Sequence, residues 1–257
     1  MDGPLTLPQP ETTGADYFDL AAAQNARAAG EVLHFPPFEL AHWGGLTFCL
    51  NYHNDPIQRA LRAGTFYEAD VLAEVLRHLP EGAHILDVGA NIGNHALFFA
   101  TRAKAARVVV IEPNPLAMAP LFANVIVNGL EEVIDLDYLG IGLSDEDAGG
   151  FAMHRHDRNL GATKMRKGGG DLQVRRGDDL FGDQVFHFVK IDTEGMEIKV
   201  LSGISEMVDR CQPTILVEVF HGHIPALMNW MDSHRYQPVA DWPVATDTSN
   251  YLLQPLG

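Results

Sequence analysis

The sequence predicts an α/β domain, a mostly parallel sheet with helices packed on both faces. Three observations carry that reading. Short apolar runs at 85–88, 108–111, 188–191 and 214–220 alternate with segments of helical periodicity. The first run passes through a glycine-containing turn straight into a helix, in ILDVGANIGNHALFFA from Ile85 to Ala100. Finally, 257 residues with a hydrophobic content of 46% can fill the core of one such domain. Strands that alternate with helices pair in parallel, because each crossover returns the chain to the same end of the sheet.

Residues 1–65 read as an N-terminal extension and 66–257 as the main domain. The proline-rich residues 1–14 should be flexible. An alanine-rich helix is expected over 16–30, and a hairpin over 38–51 with Gly44-Gly45 at its turn. Residues 66–79 have a helical pattern in which Val71, Val75, Leu76 and Leu79 share a face, placed to cover a ligand. Strand 85–88 leads into a helix from Asn91. Strand 108–111 leads into a helix from Pro115, with Asn114 as N-cap and Asn128-Gly129 at its end. The third strand lies within 133–143, and an irregular insertion follows over 148–179. The fourth strand, 188–191, precedes a helix from about Met196. The fifth, 214–220, precedes a helix over 224–234. Residues 236–253 supply a closing antiparallel pair, which makes a seven-stranded sheet.

The turn after the first strand shows what the domain binds. Phosphate-binding loops of this shape carry G-x-G-x-x-G. Here the pattern is Asp-x-Gly-x-Asn-x-Gly, with Asp87 ahead of Gly89, Asn91 and Gly93. A carboxylate at the mouth of the loop repels a pyrophosphate and welcomes an ammonium, a sulfonium or a sugar hydroxyl. That chemistry points to S-adenosylmethionine (SAM). Glu112 ends the second strand, where an acidic residue accepts both ribose hydroxyls of an adenosine ligand, and Pro113 fixes the backbone just after it. Gly89, Ala90, Asn91 and Gly93 would wrap the methionine part. Glu68 is a candidate for the amino acid end.

DVGANIG, VIEPN, GIGLSD (Gly140 to Asp145) and FVKIDTEGMEIKVLSGI (Phe188 to Ile204) together resemble the FkbM-type SAM-dependent methyltransferases. The resemblance covers roughly residues 66–220, and KIDTEGME is its most specific block. It implies a class I, Rossmann-like methyltransferase fold. It also implies O-methylation of a hydroxyl on a sugar, polyketide or other secondary metabolite, and it puts Ser144 and Asp145 beside the adenine. Asp192 and Glu194 end the fourth strand, the position that faces the transferred methyl in this fold. A hydroxyl acceptor needs a base, and Asp192 and His221 are the candidates, with His223 close by. Asp192, Glu218, His221 and His223 could form a mixed oxygen and nitrogen metal cluster. The resemblance calls for no metal, and none is expected. The rivals are a nucleotide-linked (NAD-type) oxidoreductase and a non-catalytic nucleotide-binding module.

Composition narrows the partners. With 18 basic against 34 acidic residues and a formal net charge of -16, the chain is a poor ligand for nucleic acid or an anionic membrane surface. A small hydroxylated metabolite or glycan fits better. The first residues carry no basic and apolar signal-peptide pattern, and no apolar run reaches spanning length. Cys49 and Cys211 stand far apart among apolar neighbours and read as thiols, so the expected location is the cytoplasm. Within 148–179, positive charge concentrates at His154, Arg155, His156, Arg158, Lys164, Arg166 and Lys167. Such a segment could cover the pocket or meet an anionic acceptor.

Overall fold

The computed structural model describes residues 18–154, 160 and 163–257. Residues 1–14, expected to be flexible, and the first residues of the expected 16–30 helix therefore lie outside the described residues. The helix itself, α1 (Leu20–Ala29), is capped by the Asp19 carboxylate, which accepts from the Ala22 N–H, and is closed by Gly30 at φ 66°. Next comes the hairpin of β1 (Glu39–Trp43) and β2 (Leu46–Leu50). Its turn is Gly44-Gly45, at φ 58° and 81°, a backbone that only glycine takes without strain.

Two short helices lead to the sheet. α2 (Pro56–Arg62) is absent from the sequence reading. Asp55 caps it by accepting from the Gln58 N–H, and Pro56 occupies its first turn. α3 (Ala69–Val75) is shorter than the expected 66–79 helix, because the chain tightens into a 3-10 turn at Leu76–His78. Val71, Leu72 and Val75 are buried, but Leu76 is exposed. At three residues per turn, Leu76 rotates off the face that Val71 and Val75 share.

The core alternates as expected: β3 (His84–Val88), α4 (Asn94–Thr101), β4 (Arg107–Ile111), α5 (Pro115–Val127) and β5 (Ile134–Asp135). α4 begins three residues later than Asn91, since Asn91 (φ 51°) and Gly93 (φ 87°) both take left-handed backbone. α5 starts as read, with the Asn114 side chain accepting from the Leu116 N–H.

The third strand lies within 133–143 as read, but it is short. The two residues of β5 pair with β4, and beyond them only a single bridge, Leu139 to Glu112, ties this segment to the main sheet. The chain then turns at Gly140 (φ 84°), and β6 (Ile141–Ser144) leaves for a second sheet. The insertion is likewise ordered. β7 (Ala148–His154), β8 (Lys164–Lys167) and β9 (Leu172–Arg176) form a four-stranded sheet with β6, in the order β6-β9-β7-β8. Glycines hide these strands from a periodicity count: Gly149-Gly150 sit at a register shift, and 168–170 form the β8–β9 connection. Of the basic cluster, Arg155, His156 and Arg158 lie outside the described residues.

After α6 (Gly177–Phe181) come β10 (Phe188–Ile191), α7 (Glu197–Gly203), α8 (Ser205–Cys211), β11 (Thr214–Phe220), α9 (Ile224–His234), β12 (Tyr236–Pro243) and β13 (Thr248–Pro255). The main sheet has seven strands in the order β12-β13-β11-β10-β3-β4-β5. The five from β11 to β5 run parallel, and β13 and β12 close the edge antiparallel. Alternate strand residues face opposite cores. Ile85, Val108 and Val110 pack with α4, α5 and the extension, while Leu86, Val88, Val109 and Ile111 pack with the α7–α9 side. From β3 the chain runs outward to β5, then returns to β10 on the other side. The order reverses between β3 and β10, where open α/β sheets hold their ligands. Cys49 is buried, Cys211 is half-buried, and both are free thiols. Among the described residues, no helix is long and apolar enough to cross a membrane.

Candidate active site

A cavity of about 530 Å³ opens at the carboxyl ends of β3, β4, β10 and β11. Gly89, Asn91, Glu112 and Pro113 form one side, and Asp192, Glu194 and Glu218 the other. Lys164 and Met165 of β8, Asp247 from the β12–β13 connection and Thr248 at the start of β13 also line it. This volume lies within the range of about 300–1,000 Å³ that small-molecule sites occupy.

The glycine loop is held by the end of β4. The Gly89 and Ala90 N–H groups both donate to the Ile111 carbonyl, at 2.9 and 3.1 Å. Glu112 then ties two turns together. Its Oε2 accepts from the Asn91 N–H and its Oε1 from the Asn114 N–H, both at 2.8 Å. Burial pushes its carboxyl up to about 7, against the pull of those two backbone donors. Two of its roughly four acceptor positions remain for a ligand. Gly89 is at φ 78°, and a Cβ there would collide with the Asp192 carbonyl oxygen. Only glycine lets the loop approach β10 this closely. Ala90 is buried and lies outside the cavity wall, while Gly93 packs toward Leu97 and Leu121 at the start of α4.

The sequence places Asp87 at the mouth of the loop. The structure buries it completely and pairs it with an ammonium of this same chain. Lys190 Nζ lies 3.2 Å from Asp87 Oδ1 and 3.6 Å from Asp192 Oδ2, and donates to the Gly89 carbonyl at 3.2 Å. Burial acts to lower the Lys190 pKa, but the Asp87 and Asp192 carboxylates more than offset it and hold it above the ordinary value. Glu68, at φ 57°, also lies behind the cavity wall. It accepts from Asn250 Nδ2 at 2.7 Å and meets His95 Nε2 at 3.2 Å. Burial raises its pKa, while His95 and Lys190 pull it down, and the net shift is downward.

Asp192, Glu194 and Glu218 each bring one carboxylate oxygen within 4.8 Å of the other two. Burial drives all three upward: Asp192 despite Lys190, Glu194 to about 7, and Glu218 to about 8 with Asp192 and Glu194 adding to it. An all-oxygen set suits a hard divalent cation, and it equally suits accepting a proton near neutrality. The histidines lie elsewhere. His221 is exposed and meets Ser249 Oγ at 3.1 Å; His223 Nδ1 meets the buried Glu197 at 2.6 Å. Neither joins the carboxylates. Ser144 donates to Asp145 Oδ1 at 2.9 Å, and neither lines the cavity, although Gly142 and Leu143 just before them do.

Lys190, His95 and Asn250 are absent from the sequence reading. Lys190 had a readable signal, since a lysine in the apolar run FVKI requires a buried counter-charge. His95 and Asn250 had none, because the 182-residue separation of Asn250 from Glu68 is closed only by the fold.

Known proteins give an independent comparison. Over 163 residues the chain is 29% identical to hexuronic acid methyltransferase AglP of Haloferax volcanii, covering 62% of this chain and 64% of that protein. Over 69 residues it is 44% identical to AMB antimetabolite synthetase AmbE of Pseudomonas aeruginosa, covering 27% of this chain and 3% of AmbE. The chain thus spans less than two thirds of either relative. Among solved structures, methyltransferase FkbM from Methylobacillus flagellatus superposes with a TM-score of 0.47 at 23% identity, over 66% of this chain and 43% of that one. The family model described as the methyltransferase FkbM domain matches residues 87–238, more than half the chain, from the end of β3 through every element from α4 to α9, and the chain belongs to that family of methyltransferases.

Proposed function

We propose that the protein transfers a methyl group from SAM to a hydroxyl of a small acceptor, with a sugar as the favoured class. The observation that carries this reading is the cavity at the β3/β10 switch point, with an adenosine-type carboxylate on one side and three carboxylates on the other. The glycine loop fits the group, since Gly89 and Asn91 line the cavity and the missing Cβ of Gly89 lets the loop lie directly against the end of β10. SAM, when bound, supplies a methyl on a sulfonium sulfur that an in-line nucleophile displaces. Glu112 accepts the ribose hydroxyls with its free acceptor positions, and Gly89 and Asn91 flank the methionine part. Gly142 and Leu143 border the adenine, one step before Ser144 and Asp145. The carboxylates opposite offset the sulfonium charge. Asp192 orients the acceptor hydroxyl and takes its proton, held in place by Lys190.

AglP, named a hexuronic acid methyltransferase, supports a sugar acceptor. The net charge of -16 supports a small molecule over a nucleic acid, and the free thiols of Cys49 and Cys211 support a cytoplasmic location. Calorimetric titration with SAM and with NAD tests the cofactor, and release of S-adenosylhomocysteine from a panel of hydroxylated acceptors tests the transfer. Binding of NAD without SAM would replace this reading with the oxidoreductase.

A further inference from the structure

The cavity shares its methyl-transfer end with a second space. A groove of about 490 Å³ lies beside it, and Lys164, Glu194, Phe220 and Asp247 line both. Arg166 and His223 line the groove alone. Lys164 and Arg166 are two residues apart on β8, so they project from one face of the strand.

These two cations stand apart from their neighbours. In the same small sheet, Lys167 pairs with Glu146, Arg175 with Asp147, and Arg176 with Asp178. Among the described residues, no carboxylate lies within ion-pair contact of Lys164 or Arg166, and Lys164 reaches Glu194 only through a longer-range attraction, although acidic residues outnumber basic ones 34 to 18. The Lys164 ammonium sits 4.2 Å from the centre of the Phe220 ring. A ring face attracts an ammonium through its quadrupole but offers no lone pair, so the N–H donors stay available. The charge across the site is therefore divided. Asp192, Glu194 and Glu218 gather at the inner end, while Lys164 and Arg166 stand together on β8 at the groove, with Glu194 and Asp247 at the edge that it shares with the cavity.

We propose that this groove is the acceptor site, and that Lys164 and Arg166 recognise an anionic substituent, a carboxylate or a phosphate, on a sugar-sized acceptor. Like charge keeps the anion away from the carboxylates. The acceptor thus enters with its hydroxyl toward Asp192 and its anion toward β8. Calling the ligand an acceptor rests on the methyltransferase reading; the preference for an anionic sugar does not.

The test is an NMR titration of ¹⁵N-labelled protein, with and without S-adenosylhomocysteine. The probes are methyl β-glucuronide, methyl β-glucoside and glucose 6-phosphate. The expected result is saturable shifts at residues 164–166 with the glucuronide, the phosphate sugar or both, about tenfold tighter than with the glucoside. The stronger of the two identifies the anion. Arg166→Gln should weaken that binding and Lys164→Gln/Arg166→Gln should abolish the preference. Arg166→Gln should also keep the wild-type melting temperature and SAM affinity, which shows the fold intact. Equal binding of all three sugars, no binding of any, or a preference unchanged in the double variant overturns the proposal. SAM affinity is measured separately, so its absence would sink the methyltransferase reading and leave the sugar preference to be read by itself.

Discussion

Lys190→Met is the most demanding perturbation of this fold. It removes the cation facing Asp87, a carboxylate with no accessible surface and, among the described residues, no donor but that ammonium, and it frees the Gly89 carbonyl. Methionine keeps the length of the side chain, so packing changes little and the electrostatic loss dominates. Breaking a buried ion pair on one side costs about 3–5 kcal/mol, because the remaining charge stays desolvated. For a domain of this size each kcal/mol lowers the melting temperature by about 2–4 °C, so the expected fall is roughly 6–20 °C. Thermal unfolding followed by circular dichroism measures it. Asp87→Leu/Lys190→Met should recover at least half the loss, since the fully buried bare charge is gone and Asp192, the other carboxylate left without the ammonium, is partly exposed. A single variant that melts within about 2 °C of wild type, or a double variant no more stable than the single, refutes the reasoning.

Four further outcomes follow from the site. Glu112→Ala should weaken SAM binding by about 1.5–3 kcal/mol, through loss of charged hydrogen bonds and of the clamp on Asn91 and Asn114; equal affinity by calorimetry removes Glu112 from the site. Asp192→Asn should lower kcat by ~10²–10⁴-fold at nearly constant SAM affinity, while His221→Ala, exposed and outside the cavity, should keep it; the reverse ranking sinks Asp192 as base. Glu112, Glu194 and Glu218 are raised from 4.5 to about 7, 7 and 8, so the folded state holds more protons than the unfolded one in that interval. Their contribution to stability is complete below 4.5 and lost as pH rises to about 8; melting temperature should fall between pH 6 and 8.5, and less so in Glu218→Gln. Turnover should survive EDTA, whereas loss restored by Mg²⁺ would make Asp192, Glu194 and Glu218 its ligands.

How much of this molecule can be read from its sequence depends on where each constraint lies. Residues 85–88, 188–191 and 214–220 are legible because strands buried on both faces are continuous apolar runs, and their helices are legible because caps such as Asn114-Pro115 are local. The four-stranded sheet is not, since Gly149-Gly150 and residues 168–170 interrupt the alternation that marks strands. The site divides the same way. A carboxylate two residues before Gly89 speaks for a cation, but the sequence does not say whose. The structure answers with Lys190, 103 residues away, which reaches back to Asp87 and forward to Asp192. That single ammonium links the glycine loop to the carboxylate read as the base. The loop motif and the KIDTEGME block therefore act as one device: Asp87 and the Gly89 carbonyl anchor the ammonium, and the ammonium positions Asp192. Each half is recognisable alone, but the link between them exists only where β3 and β10 lie side by side.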